Sequence, residues 1–189
     1  MEYIKTDIEG AVILRPQVIG DSRGYFAETF RQEDFDRNVR PVRFVQDNES
    51  RSTRGVVRGL HVQRGVHVQG KLVRCVSGRV LDVAVDLRAG SPTFGRHLAV
   101  ELSDENHLML FVPRGFAHGF SVLSETALFQ YKCDNYYCHE SEAGIDPFDP
   151  ALGIDWHVAA AEAIVSEKDL RHPTLASVRD EIAFKGELY

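Results

Sequence analysis

The stretch GVVRGLHVQRGVHVQGKLVRC, residues 55–75, sets two histidines, three arginines and a lysine into a run whose apolar positions otherwise alternate like a buried β-strand. Each polar type brings its own chemistry. A neutral imidazole titrates near working pH and can take a proton from a substrate. Arginine forks and a lysine ammonium hold phosphate oxygens or neutralise a developing oxyanion. The concentration is regional: residues 40–79 hold nine Lys or Arg against two acids, Asp47 and Glu49, while the whole chain carries a net charge of −6. A basic segment in an acidic protein suits a small anionic ligand and disfavours nucleic acid. The competing reading is a set of strands with solvated basic outer faces. No GxGxxG, Walker A or GxSxG element occurs, so dinucleotide, P-loop and serine-nucleophile chemistry have no support. Three cysteines (Cys75, Cys133 and Cys138) without a CxxC pair suit reduced thiols in a cytoplasm better than disulfides or a zinc site.

The elements that must position these groups read as short strands. A chain of 189 residues, 43% hydrophobic and 26% charged, fits one folded domain and argues against disorder. The longest apolar run, Leu108–Val112, is far short of the ~20 residues a membrane helix needs. The opening MEYIKTDIEG has acids where an export signal needs a basic segment, so a cytoplasmic location is expected. AVILRP, YFAETF, RFVQDNES, GVVRGLHVQ, KLVRCV, RVLDVAVDL, RHLAVEL, HLMLFVP and ALFQYKC are rich in β-branched and aromatic residues, and turn signals separate many of them. Spacing of roughly 8–12 residues between turns predicts an antiparallel sandwich or jelly roll. Helices are expected only at the periphery, over RQEDFDRNV and after Ser166 in SEKDL.

PRGFAHGF places Pro113, Gly115 and His118 in a PxGxxH spacing that resembles the second motif of the cupin jelly rolls. The first cupin motif supplies HxH, yet the match here is HVQ at His61–Gln63. His61, His67 and His118 remain a candidate metal set of lesser weight. A wider resemblance covers nearly the whole chain. DSRGYFAETF, FVQDN, GVVRGLHVQ, QGKLVRCVSG, DVAVDLRAGSPTFG, LSDEN, VPRGFAHGF, YKCDNYY and SEKD occur in the order and spacing of the dTDP-4-dehydrorhamnose 3,5-epimerases. The resemblance implies a cupin-type jelly roll over residues 1–189, with an amino-terminal arm of about 30 residues exchanged in a homodimer and a peripheral segment over about 160–189. It also implies no metal or other cofactor, and epimerisation beside the ketone of a nucleotide-diphosphate 4-keto-6-deoxy sugar, with no nucleic-acid or membrane partner.

By the same resemblance His61 is the base, Asp169 the carboxylate that orients it, Lys71 the cation at the enolate oxygen, and Tyr131 the acid of the opposite face. Arg23, Phe26, Glu28, Gln46, Asp47, Asn48, Arg58, Lys71, His118, Tyr137, Glu142 and Lys168 would hold the substrate, with Tyr137 stacking on the base. Taken singly, His61 reads as a satisfied strand histidine and Tyr131 as a core aromatic, and Asp82 as either a partner of a histidine or an outward carboxylate. Strand parity adds a constraint. Arg58 and His61 are three residues apart, so they share a face only if the strand bends between them, and Gly59 is the natural place.

Three departures from the family pattern, Glu49, Val62 and the DPFDP segment at 146–150, put sugar and base specificity in doubt. The open alternatives are an enzyme inverting C3 or C5 alone, a non-catalytic sugar-nucleotide binder and a metal-dependent cupin.

Overall fold

The computed structural model describes residues 1–186, which form two antiparallel sheets facing each other as a jelly roll. One sheet orders six strands: β1 (Glu2–Lys5), β2 (Val12–Arg15), β10 (Met109–Val112), β7 (Lys71–Ser77), β12 (Thr126–Cys133) and β5 (Gln46–Thr53). The other orders β13 (Glu142–Gly144), β6 (Val57–Gln63), β11 (Phe116–Val122), β8 (Arg79–Asp86) and β9 (His97–Ser103). A separate ribbon pairs β3 (Val18–Asp21) with β4 (Gly24–Ala27). No helix among the described residues is long and apolar enough to cross a membrane.

Alternation assigns the faces. Val73 and Cys75 of β7, Val80 and Ala84 of β8, Phe116 and Phe120 of β11 and Phe129 of β12 fill the space between the sheets. Val57, Leu60 and Val62 of β6 and Leu81, Val83 and Val85 of β8 face the other way, under a cover made by Ile145, Leu152, Trp156, Leu175 and Ile182. β8 beyond Arg79 and all of β11 are therefore buried on both faces, whereas the edge strand β9 exposes Ala99 and Glu101. A third cluster packs the short helix α1 (Gln32–Asn38), through Phe35, on Leu14, Leu72 and Phe111.

The expected strands are found, with four additions: β1, β3, β11 and β13. The helix expected at RQEDFDRNV is α1. SEKDL gives a 3₁₀ turn over Asp169–Arg171 rather than a helix, although Ser166 Oγ does accept the Asp169 N–H at 3.1 Å. A second helix, α2 (Leu175–Ile182), was not foreseen. The arm divides in two: β1 and β2 belong to the six-stranded sheet, whereas only the β3–β4 ribbon stands apart, with Ile19 58% and Phe26 68% exposed.

The bend in β6 lies where parity requires it. His118 pairs with His61 and Phe120 with Arg58, so two residues of β11 span three of β6. Arg58 and His61 thereby join His118 and Phe120 on the interior face. Gly59 has φ +136°, and a Cβ there would stand 2.6 Å from the Gly119 Cα; a Cβ on Gly119 would stand 2.5 Å from the Arg58 carbonyl oxygen. Backbone meets backbone at this point, so no side chain can yield to a substitution. Gly59→Ala is expected to lose about 2–4 kcal/mol in chemical denaturation, from backbone strain together with overpacking. Gly65→Ala, at φ +61° with open space around it, should lose only about 1 kcal/mol. Equal losses in the two variants would show that the close approach is not the constraint.

Candidate active site

Register carries the functional side chains into the interior at one end of the two sheets. On the six-stranded sheet Cys133 pairs with Gln46 and Lys71, and Tyr131 with Asn48 and Val73, so Gln46, Asn48, Lys71, Tyr131 and Cys133 share the face that packs Phe129 inward. On the five-stranded sheet His61, His118 and Asp82 share the opposing inner face, since His61 pairs with His118 and Phe120 with Asp82.

His61 and Asp169 meet although 108 residues separate them. His61 Nε2 lies 2.8 Å from Asp169 Oδ1, and the Gly59 N–H donates to Oδ2 at 3.3 Å. Burial alone would raise the Asp169 pKa, but the His61 bond and the Gly59 amide outweigh it and hold the carboxyl below its usual range. Asp169 is thus an anion whose two oxygens are both engaged, and its bond to Nε2 fixes the orientation of the ring.

Lys71 has no hydrogen-bond or ion-pair partner among the described residues. Its ammonium stands 5.8 Å from the centre of the Tyr131 ring. Burial pushes its pKa down, against Cys133, Asp82 and Glu142, which favour the charge. Burial likewise raises Tyr131, so the phenol keeps its proton, and pushes the Cys133 thiol up to about 11. His118 Nε2 lies 2.9 Å from Asp82 Oδ2, a carboxylate oxygen that accepts its N–H, both side chains being buried. Burial lowers the His118 pKa, against the pull of Asp82. Asp82 therefore points inward and serves His118, not His61.

A polar rim borders this interior. Tyr137 donates its hydroxyl to Glu142 Oε2 at 2.6 Å, and its N–H to Gln46 Oε1 at 3.0 Å. Lys168 pairs with the other Glu142 oxygen. Burial would raise Glu142, yet these two donors keep it below its ordinary value, while the same bond pushes Tyr137 up to about 12. Arg58 donates to Ser52 Oγ at 3.1 Å and is close enough to Tyr131 to favour its ionised form.

Four of the expected residues lie elsewhere in this chain. Arg23 closes on Asp21 and Glu28 on Arg31, both in the exposed ribbon region, and Phe26 is largely solvent-exposed there. Asp47 alternates out of the interior, pairing with Lys132 at 3.0 Å. The three departures also point away from the interior: Glu49 accepts from Gln130 at 2.7 Å, and Val62 and Phe148 pack in the outer cluster.

The candidate metal set does not assemble. His118 is bound to Asp82, and His67 sits in a 3₁₀ turn over Gly65–His67. The grouping of metal-type donors found among the described residues is His61, Asp169 and His172. His172 went unrecognised in the sequence, where its i+3 spacing from Asp169 was the available signal.

A family model described as dTDP-4-dehydrorhamnose 3,5-epimerase matches residues 5–177. A dTDP-4-dehydrorhamnose 3,5-epimerase of Escherichia coli is 52% identical over 176 residues, 93% of this chain and 95% of that protein. One from Methanothermobacter thermautotrophicus is 52% identical over 168 residues, 88% of this chain and 90% of its own. A crystal structure of a Legionella pneumophila 3,5-epimerase in complex with dTDP-4-keto-L-rhamnose superposes with a TM-score of 0.93 at 45% identity, covering 98% of each chain. With this site on this fold, the chain belongs to the dTDP-4-dehydrorhamnose 3,5-epimerase family.

Proposed function

We propose that the protein inverts C3 and C5 of a dTDP-linked 4-keto-6-deoxy sugar, turning dTDP-4-dehydro-6-deoxy-D-glucose into dTDP-4-dehydro-L-rhamnose. The observation that carries the reading is the opposition of an oriented imidazole and a protonated phenol across one interior: His61 on the five-stranded sheet, Tyr131 on the six-stranded one.

A hydrogen beside a ketone leaves only if a base takes it while the enolate oxygen is stabilised. Asp169 engages His61 Nε2, which leaves the Nδ1 lone pair as the base. Lys71, unpaired within the described protein, offers its ammonium to the oxyanion, a role worth roughly 3–4 kcal/mol for a single preorganised donor. Tyr131 keeps its phenolic proton and returns it from the opposite face, so the carbon inverts. His118, backed by Asp82, adds a polar group on the base's side of the site. Gln46, Asn48, Arg58, Tyr137, Glu142 and Lys168 form a rim of donors and acceptors suited to a nucleoside diphosphate. The free thiols of Cys75, Cys133 and Cys138 support a reducing, cytoplasmic setting.

Arg23, Phe26 and Glu28 enter this reading through a second copy of the chain. The ribbon that carries Arg23 and Phe26, and that Glu28 follows directly, exposes Ile19, Tyr25 and Phe26 and joins neither sheet, as expected of an arm that completes the site of a partner in a homodimer.

Incubation with dTDP-4-keto-6-deoxyglucose in deuterated water, reading label and configuration at C3 and C5 separately, tests the chemistry. His61→Asn is expected to lose at least ~10²-fold of exchange at both carbons. Tyr131→Phe should exchange protons faster than it inverts, since deuterium can return only to the original face. Near-full exchange in His61→Asn, or unimpaired inversion in Tyr131→Phe, contradicts these roles; label at a single carbon in the parent enzyme would make it a one-carbon epimerase.

Mixing tests the arm. Arg23→Ala and His61→Asn subunits, each impaired alone, should regain about a quarter of parent activity after random reassortment, because one site in each heterodimer then holds both native groups. No recovery, with heterodimers present by native mass spectrometry, would mean that Arg23 serves its own subunit or none.

A further inference from the structure

His172 takes no part in the proton transfer above, yet it is fixed beside the carboxylate that orients the base. Its Nε2 lies 3.5 Å from Asp169 Oδ1, the oxygen that holds His61 Nε2 at 2.8 Å. Its ring stands edge-on to the His61 ring, with centroids 5.9 Å apart. Gly144, which pairs with His61 across β13 and β6, makes room for that ring, because any Cβ at 144 would overlap it. His172 Nε2 is buried and has no hydrogen-bond partner. A buried polar nitrogen left unpaired calls for a ligand or a functional reason.

The geometry points to a site for one divalent transition-metal ion of the zinc type, held by His61, Asp169 and His172, which stops proton transfer when filled. One donor atom from each residue lies within 4.8 Å of the others. Metal bonds of about 2.0–2.2 Å set tetrahedral ligand atoms roughly 3.2–3.5 Å apart. The His172–Asp169 spacing already falls there, and the His61–Asp169 contact must open by only about half an ångström. Two imidazoles and one carboxylate select zinc, cobalt or nickel over magnesium and calcium, which prefer all-oxygen shells. The supports that keep such ligands in place are present: the Gly59 amide on Asp169 Oδ2 and the Ser166 hydroxyl on the Asp169 N–H.

The inhibitory half of this inference rests on the reading of His61 as the base; the binding half does not. A metal bonded to His61 Nε2 needs the lone pair at that nitrogen, so the proton shared with Asp169 moves, through solvent, to Nδ1. The ring stays neutral and no net proton is released. Nδ1 then carries a hydrogen and can accept none, and Asp169 is drawn to the ion.

Titration of the metal-free full-length protein with Co²⁺ reads the site by visible absorption without any substrate. One equivalent is expected to bind, with Zn²⁺ displacing it, and epimerisation should fall in step with occupancy and return on addition of a chelator. His172→Gln should weaken Co²⁺ binding at least tenfold while metal-free epimerisation persists, and Gly144→Ala, which pushes the ring aside by a different route, should weaken binding too. Absence of a Co²⁺ spectrum in the parent protein, or undiminished binding in the folded variants, overturns the site. Activity indifferent to occupancy overturns the inhibition. Binding as described in a protein with no epimerase activity would uphold the site and sink the proposed function instead.

Discussion

The close approach of β6 to β11 at Gly59 and Gly119 governs the rest of the site. Two glycine backbones in contact let β6 gain one residue against β11, and that extra residue turns Arg58 and His61 to the same side. Without it, one of the two would project into the outer cluster with Leu60 and Val62, where a charged or polar side chain would lose its partners. The bulge also frees the Gly59 amide from the ladder, and that amide is the donor to Asp169 Oδ2. One local irregularity thus aims the base, aims an anion-binding arginine and anchors the carboxylate behind the base.

The carboxylates that line or border the interior are each matched by a donor. Asp82 is matched by His118, Asp169 by His61, and Glu142 by Lys168 and Tyr137. Lys71 lacks a direct partner among the described residues, while Asp82 and Glu142 stand close enough to favour its charge. A half-buried ammonium left in this state costs free energy that a purely structural lysine would recover by pairing. It is the expected condition of a group held ready for a negative charge that exists only during reaction.

Much of this was legible in the sequence because strands declare themselves by alternation. RVLDVAVDL and ALFQYKC gave β8 and β12, and the odd spacing of Arg58 and His61 located the bulge at Gly59. β11 escaped the pattern reading because its start, PRGFAHGF, reads as the PxGxxH motif and a glycine inside FAHGFSV weakens the strand pattern. Gly119 is there for the contact with Gly59, a tertiary reason invisible in a linear pattern. Asp82 stayed ambiguous since β8 is buried on both faces and parity alone cannot choose between them. The pairing of His61 with Asp169 came through family resemblance alone, for no local rule links residues 108 positions apart.

The double burial of β8 and β11 explains how that distance is closed. β8 and β11 set Leu81, Val83, Val85 and Ala117 on their outer face, so that face must be covered. The chain after β13 supplies the cover with Ile145, Leu152, Trp156, Leu175 and Ile182, fastened by Ser121 Oγ to the Trp156 carbonyl and by Asp149 to the first amide of α2. A segment obliged to cross that face passes the edge strand β13, and there the turn at Asp169 meets the Gly59 amide. Hydrophobic burial thereby brings the orienting carboxylate to the base. Packing on the outer face thus delivers Asp169 to the site, and the Gly59 amide, the His61 ring and the Ser166 hydroxyl hold it there.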